Sequence, residues 1–341
     1  NLKQPFKGHN PDWTAQAALE FIEEHKNQPF YLHCCSTLLH GPNGEWFKSM
    51  MEKELASGEG YLKKPLNLID RKSVWERIQK AGLTEAEVGY LWMDDSLGLI
   101  LDKLDSLGIA ENTIVVFVSD HGSERKGSLI KTRGTEIPCL IRWPRVIKPG
   151  SVSRGLLQNT DFVPTWFELA KAKIPKGYHI DGKSLAAMFK DPAVSIRKYI
   201  YGEQGAARAI KTEAFEYISI RYTDEQITGA LSKRADRAYK TLLGLSSGIS
   251  RARYFHPDIF SADQLYDLSK DPNSQKNVAY DSGYAEQLKK MKAVLTQTVK
   301  ELGPRPYGDF VPGEGTSDAE ASQKVLDQLA AYHAKEGKKK K

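Results

Sequence analysis

The chain has 341 residues, 40% hydrophobic and 27% charged, which is enough to bury a large core and make two domains or subdomains. Its formal net charge is +6, but Lys338 to Lys341 supply four of those charges, and no basic helix with interleaved aromatics argues for nucleic acid. No stretch is apolar over the length a membrane span needs, and three cysteines without C-x-x-C spacing argue against a zinc site or disulfide framework.

Residues 1–11 read as a polar lead. Ala15, Ala18, Leu19 and Ile22 then recur at helical spacing, which predicts an amphipathic helix with Asp12 as its N-cap. Asn27-Gln28-Pro29 ends it. Phe30 to Cys35 reads as a buried strand, followed by Ser36-Thr37-Leu38-Leu39-His40-Gly41-Pro42, so His40 is expected in a loop just beyond a strand. Residues 43–83 carry little pattern; Trp46, Tyr61 and Trp75 fit core packing better than a cleft rim. Thr84 to Glu87 has capping-box chemistry and opens a helix that Gly108 closes. Asp94 and Asp95 within it point about 100° apart, so they are expected in solvated or structural roles rather than on one metal.

The stretch Thr113 to Gly122, TIVVFVSDHG, is the most informative. Its apolar run is that of a buried strand in a parallel sheet, and it ends abruptly in Ser119-Asp120-His121-Gly122. Ligands of open α/β sheets sit beyond the carboxyl ends of the strands. An acid and an imidazole there can hold a metal ion or a polar substrate. A Gly-, Lys- and Arg-rich loop follows, then a short strand within 137–144. Asn159-Thr160-Asp161 is expected to cap a helix, FVPTWFELAKA, and residues 181–189 to begin and form another, short helix.

This alternation of strand and helix predicts a doubly wound α/β sheet. Beyond residue 197 the texture changes to short strands, 199–203, 207–211, 217–222 and 264–268, of an antiparallel sheet, and then a long helix over 283–302. The boundaries expected are an α/β part over 1–197, an antiparallel-sheet-plus-helix subdomain over 198–310, and a polar tail over 311–341.

With these segments in place, the chain resembles the sulfatase family of the alkaline-phosphatase superfamily. The likeness is collinear: PFYLHCCSTLLHGP (29–42), WMDDSLGLILDKLDSLGIAENTIVVFVSDHG (92–122), IPCLIRWPRVIKPGS (137–151), NTDFVPTWFELA (159–170), DGKSL (181–185) and QLYDLSKDPNSQKNVA (264–279). The resemblance implies an alkaline-phosphatase-like mixed or parallel sheet with a smaller α+β C-terminal subdomain. It implies a sulfuric ester hydrolase acting on sulfated carbohydrate, and export to a periplasmic, secreted or lysosome-like compartment. It also implies residue roles. Asp120 and His121 correspond to calcium ligands, Asp120 being the better suited because calcium prefers hard oxygen donors. His40 corresponds to the imidazole that contacts the sulfate or leaving oxygen. Lys126 corresponds to the sulfate-binding lysine, with Lys131 as the fallback because the loop spacing is one residue off.

The family's nucleophile is a formylglycine made in a C-x-P-S-R segment, and no part of the chain matches that segment. The paired acids of the family's first strand and its Lys and His after the nucleophile are also without counterparts. The chain is therefore expected to be the C-terminal portion of a longer sulfatase rather than a shortened homologue, with weak calcium binding and an exposed sheet edge that promotes association. Two rivals remain at this point. One is a phosphodiesterase or phosphonate hydrolase of the same superfamily. The other is a non-catalytic binder of sulfated glycans.

Overall fold

A computed structural model of the chain describes residues 9–40, 44–51, 56–57, 60–61, 63, 68–122, 129, 134–204, 207–221, 261–302 and 331. The chain divides into two compact units, Asn1–Val115 with Arg142–Arg145, and Val116–Ile141 with Val146–Lys341. Each is described by itself.

The first unit is helical. Helix α1 (Pro11–His25) buries Ala15, Ala18 and Ile22 at the spacing the sequence predicted. Ile22 meets Leu104 and Ala110 in one apolar cluster; burying a side chain of its size stabilises by about 2 kcal/mol. The cap differs from expectation. Asn10, not Asp12, is the N-cap: its side chain accepts from the Trp13 N–H, and Pro11 occupies the first turn, where no donor is needed. Asp12 is instead fully buried. Its carboxylate accepts from the Ile69 N–H at 3.0 Å and from Arg71 at 2.7 Å. A buried carboxylate must be paired and hydrogen-bonded to avoid a large desolvation cost, and that demand outranked the capping role.

Helix α2 (Gly44–Met51), the two-residue strands β1 (Ala56–Ser57) and β2 (Gly60–Tyr61), which pair antiparallel, and helix α3 (Arg71–Lys80) follow. Helix α4 (Val88–Ser106) is preceded by the expected capping box. The Thr84 hydroxyl accepts from the Ala86 N–H, and the Glu87 carboxylate takes the Thr84 N–H at 2.8 Å. Gly108, at φ +69°, turns the chain out of the helix. The core of this unit joins Trp46 and Met50 of α2 with Val74 and Ile78 of α3 and Val88 and Trp92 of α4. Gly89 makes this packing possible, since a Cβ there would stand 2.5 Å from the Trp46 ring. Arg71 lies over the Trp92 ring, 5.0 Å from its centroid. Asp95 pairs with Arg77, so this member of the acidic pair on α4 has a structural role.

The buried strand expected at Phe30–Cys35 is not formed. Phe30 and Leu32 pack onto the α1–α4 cluster, whereas Tyr31 is 71% exposed and Cys34 and Cys35 are exposed. The alternation is that of a strand, but among the described residues no neighbouring strand offers it a ladder, and without a ladder there is no sheet.

The second unit begins with most of β3 (Val115–Val118), hydrogen-bonded to β4 (Cys139–Arg142). The strand is where the sequence placed it, but it is half-buried, and Val118 is 40% exposed. With β4 as its partner among the described residues, it lacks the two flanking strands that bury a central parallel strand. Helices α5 (Phe162–Leu169) and α6 (Ala186–Lys190) come next. They are tied together by buried Asp161. One oxygen accepts from the Gln158 N–H at 2.7 Å; the other accepts from the Lys183 N–H at 2.8 Å and pairs with Arg197. Thr165, one turn on, donates to the Asp161 carbonyl and accepts from the Leu185 N–H, both bonds buried.

Strands β5 (Ile200–Gln204), β6 (Ala207–Lys211), β7 (Phe215–Ile220) and β8 (Asp263–Asp267) form one antiparallel sheet in that order, close to the predicted bounds. Helix α7 (Ala285–Leu302) lays Met291 and Leu295 against Ile210, Tyr217 and Leu265. Asp267 ends β8. The Ser269 hydroxyl, then Tyr284 and Lys270, hold its carboxyl down at about 2. The stretch 222–260 and most of the weak helix expected over 318–333 lie outside the described residues.

Two predictions rest on these contacts. Substituting Asp161→Ala strips Arg197 of its partner where water cannot replace it, and should cost about 3–5 kcal/mol. Urea unfolding followed by tryptophan fluorescence reads this, and a midpoint equal to wild type would refute it. The carboxyl of Asp267 ionises more readily folded than unfolded, so its contribution is complete above the ordinary carboxylate range and is lost as pH falls toward about 2. The stability of Asp267→Asn should therefore fall less steeply than that of wild type between pH 5 and 2. Parallel slopes would show that Asp267 is not responsible.

Candidate functional site

Strand β3 sets up the first group of candidate residues. Its apolar side chains end at Val118, and the next four residues fold back on themselves. The Ser119 hydroxyl donates to the His121 carbonyl at 2.9 Å, and the Gly122 N–H donates to the Gly134 carbonyl at 2.9 Å. His121 Nδ1 lies 2.7 Å from the Gly122 carbonyl oxygen. A carbonyl can only accept, so Nδ1 carries a proton. In the neutral ring Nε2 then presents a lone pair, and it stands 3.3 Å from Asp120 Oδ2. Two acceptors facing each other call for a proton or a cation between them. The Asp120 side chain is 84% exposed and that of His121 is 31% exposed, so the pair faces outward at the strand end.

Calcium takes six to eight oxygen ligands at about 2.3–2.6 Å. Asp120 and His121 supply one carboxylate and one imidazole. Among the described residues no group of three or more His, Cys, Asp or Glu side chains could hold a metal ion. This pair has the chemistry of part of a shell and does not fit calcium by itself.

The second group surrounds His40 in the other unit. The chain turns over Thr37–His40: the His40 N–H donates to the Thr37 carbonyl at 3.3 Å, and Leu39 sits at φ +71°. That is the positive φ a type II turn asks of its third residue, normally a glycine. Core packing enforces it. Leu38 is buried among Trp46 and Trp92, and Leu39 packs against the same cluster. The Trp46 indole donates to the His40 carbonyl at 3.0 Å. His40 itself is on the exposed side of the turn.

One residue of this group was not singled out in the sequence. His9, read as part of a polar lead, is buried and has Nδ1 3.2 Å from Thr37 Oγ1, while its N–H donates to Ser49 Oγ at 3.0 Å. Its partners are 28 and 40 residues away, so no local pattern could have shown it. Lys126 and Lys131, with Gly41 and Pro42, lie outside the described residues. Cys139 is half-buried, and burial pushes its thiol up, away from nucleophilic thiolate chemistry. Among the described residues no helix is long and apolar enough to cross a membrane.

Known proteins resemble the chain along the same segments. A sequence profile of the Sulfatase family matches residues 2–172, and one for the N-sulphoglucosamine sulphohydrolase C-terminal region matches residues 126–226. An ulvan-active sulfatase of Formosa agariphila is 30% identical over 214 residues, covering 59% of this chain and 38% of that protein. An N-acetylglucosamine-6-O-sulfatase of Bacteroides thetaiotaomicron is 27% identical over 231 residues, covering 66% of this chain and 36% of that protein. The chain thus spans little more than a third of the length of these relatives. Among solved structures, one from work on glycosaminoglycan metabolism by Bacteroides thetaiotaomicron superposes with a TM-score of 0.58 at 24% identity, covering 85% of this chain and 54% of that one. Another, solved with its substrate D-glucosamine-2-N,6-O-disulfate, gives a TM-score of 0.51 at 20% identity over 87% of this chain and 70% of that one. The fold is therefore the alkaline-phosphatase-like fold of these structures, with the small antiparallel sheet in its C-terminal part. Half of the 341 residues fall within one family profile, and the strand end, the His40 turn and Asp161 all lie inside that match: the chain belongs to the sulfatase family.

Proposed function

We propose that the whole protein is a sulfuric ester hydrolase acting on sulfated carbohydrate. The observation that carries this reading is the family match over residues 2–172. The names of the relatives support the substrate class, since two of them are named for ulvan and for N-acetylglucosamine 6-O-sulfate. Residues 1–197 would be the C-terminal part of the catalytic domain, 198–310 the smaller subdomain and 311–341 a polar tail. An exported protein, periplasmic, secreted or lysosome-like, suits such a substrate.

The proposed roles follow from the chemistry of each group. His40, held by its backbone on a packed turn, would assist the leaving oxygen through its imidazole. Lys126, with Lys131 as the alternative, neutralises charge on the sulfate. Asp120 and His121 contribute one carboxylate oxygen and one ring nitrogen to a calcium ion, with Nε2 free to ligate because Nδ1 holds the proton. The remaining calcium ligands and the formylglycine would come from outside the described residues. When present, they would supply Lewis acidity at the sulfate oxygens and the attacking oxygen.

Two measurements test the reading. The full-length protein should release sulfate from an aryl sulfate and from sulfated oligosaccharides, and His40→Ala should lower kcat about 10²–10⁴-fold. Preferential hydrolysis of a phosphodiester would favour phosphoryl transfer, and glycan binding without turnover would favour a binding protein. Calorimetric titration of residues 1–341 with calcium should show weak binding or none. Tight binding lost on Asp120→Ala would mean that these residues complete the shell themselves.

A further inference from the structure

We infer that His9 is a positioning residue for His40, acting through Thr37. This rests on the proposed role of His40 in sulfate ester hydrolysis and adds to that role a second histidine, remote in sequence.

The turn that carries His40 is strained. A leucine at φ +71° costs about 1–3 kcal/mol and persists only where its surroundings over-determine it. Several contacts among the described residues hold this turn. Leu38 and Leu39 are packed from below by the Trp46–Trp92 cluster. The Trp46 indole fixes the His40 carbonyl on the far side. His9 fixes the near side, where its Nδ1 meets the Thr37 hydroxyl at 3.2 Å, on the very residue whose carbonyl accepts the His40 N–H. His9 is itself immobilised. It is 8% exposed, its N–H is bound to Ser49 of α2, and it stands directly before Asn10, the cap of α1. A buried imidazole with one side-chain partner, spent on a solvent-facing threonine, gives little in stability. Its effect is to fix where the threonine and the following turn stand.

Burial first, then the nearby His40, lowers the proton affinity of His9, against the opposing pull of Thr37 and Glu45. The ring therefore stays neutral near pH 7 and serves as a hydrogen-bond partner without adding a positive charge of its own to the turn. Geometric errors near 1 Å can cost about a hundredfold in rate, so a clamp on this turn has a catalytic consequence out of proportion to its energy.

The test uses the full-length protein and the variants His9→Ala, His9→Asn and Thr37→Val. Asn places an amide nitrogen where Nδ1 stands. Thr37→Val removes only a hydroxyl at an exposed position, so it keeps the fold if His9→Ala does not. Thr37→Val and His9→Ala should lower kcat about ten- to a hundredfold with KM little changed, and His9→Asn should restore most of the loss. An unchanged kcat in Thr37→Val, or a loss not rescued by His9→Asn, would overturn the inference. Amide hydrogen exchange at His40, measured on the same variants, should quicken about tenfold in Thr37→Val and His9→Ala and return in His9→Asn. If the wild type hydrolyses no sulfate ester, the hydrolase reading fails, and the exchange rates still decide whether His9 holds the turn: equal rates refute it.

Discussion

The structure depends on how it treats carboxylates taken out of water. Asp12, Asp161 and Glu216 are each fully buried, and an isolated ion there would cost several kcal/mol. Each meets a cation. Asp12 has Arg71, Asp161 has Arg197, and Glu216 has Lys211 at 2.7 Å. Asp12 and Asp161 also collect backbone N–H donors, and Glu216 takes the Ser274 hydroxyl. Because such a charge tolerates few arrangements, the segments that supply its partners are fixed relative to one another. Asp12 joins the start of α1 to the start of α3, and Asp161 joins residues 158, 183 and 197 within the second unit.

This changes the meaning of the sequence segments that carried the family likeness. NTDFVPTW and DGKSL read as signatures, but their polar residues build a corner. Asp161 and Thr165 accept N–H donors from Lys183 and Leu185, which would otherwise be left unmatched as the chain leaves one helix for the next. The residue just before QLYDLSKDP behaves similarly. Asp263 is pushed up by burial, yet Lys292, Tyr217 and Arg221 outweigh that and bring its carboxyl below the usual range. Tyr217 is in turn pushed up by burial and by Asp263. In the His40 turn and at the Asp120-His121 strand end, His40 and Asp120 face outward.

Much of the fold was legible in the sequence because local chemistry decided it. Thr84 with Glu87 and Gly108 mark the ends of the α4 region through hydrogen bonds that span three or four residues, and β5 to β8 show up through their apolar runs. The misreadings came from long-range demands. Asp12 looked like a cap, but Arg71, 59 residues away, claimed it. Phe30 to Cys35 has the alternation of a strand, but a strand is a relation between two segments, and the sequence of one shows only half of it. Of the candidate residues, Asp120, His121 and His40 stood out in the sequence by their position after apolar runs. His9 was not, since its role exists only once residues 9, 37 and 49 are folded together.

Gly89 reaches further than its helix. It gives the Trp46 ring the room it occupies, and the same indole holds the His40 carbonyl. A side chain at position 89 would press on the ring and, through it, on the backbone of His40. In a mutational screen, position 89 should therefore be sensitive beyond its own helix, because a side chain there would disturb the turn at His40 as well as the core. The sequence around it, Val88-Gly89-Tyr90, contains nothing chemical to announce this. In this fold the room left for one aromatic ring bears on the backbone of the turn that this ring holds.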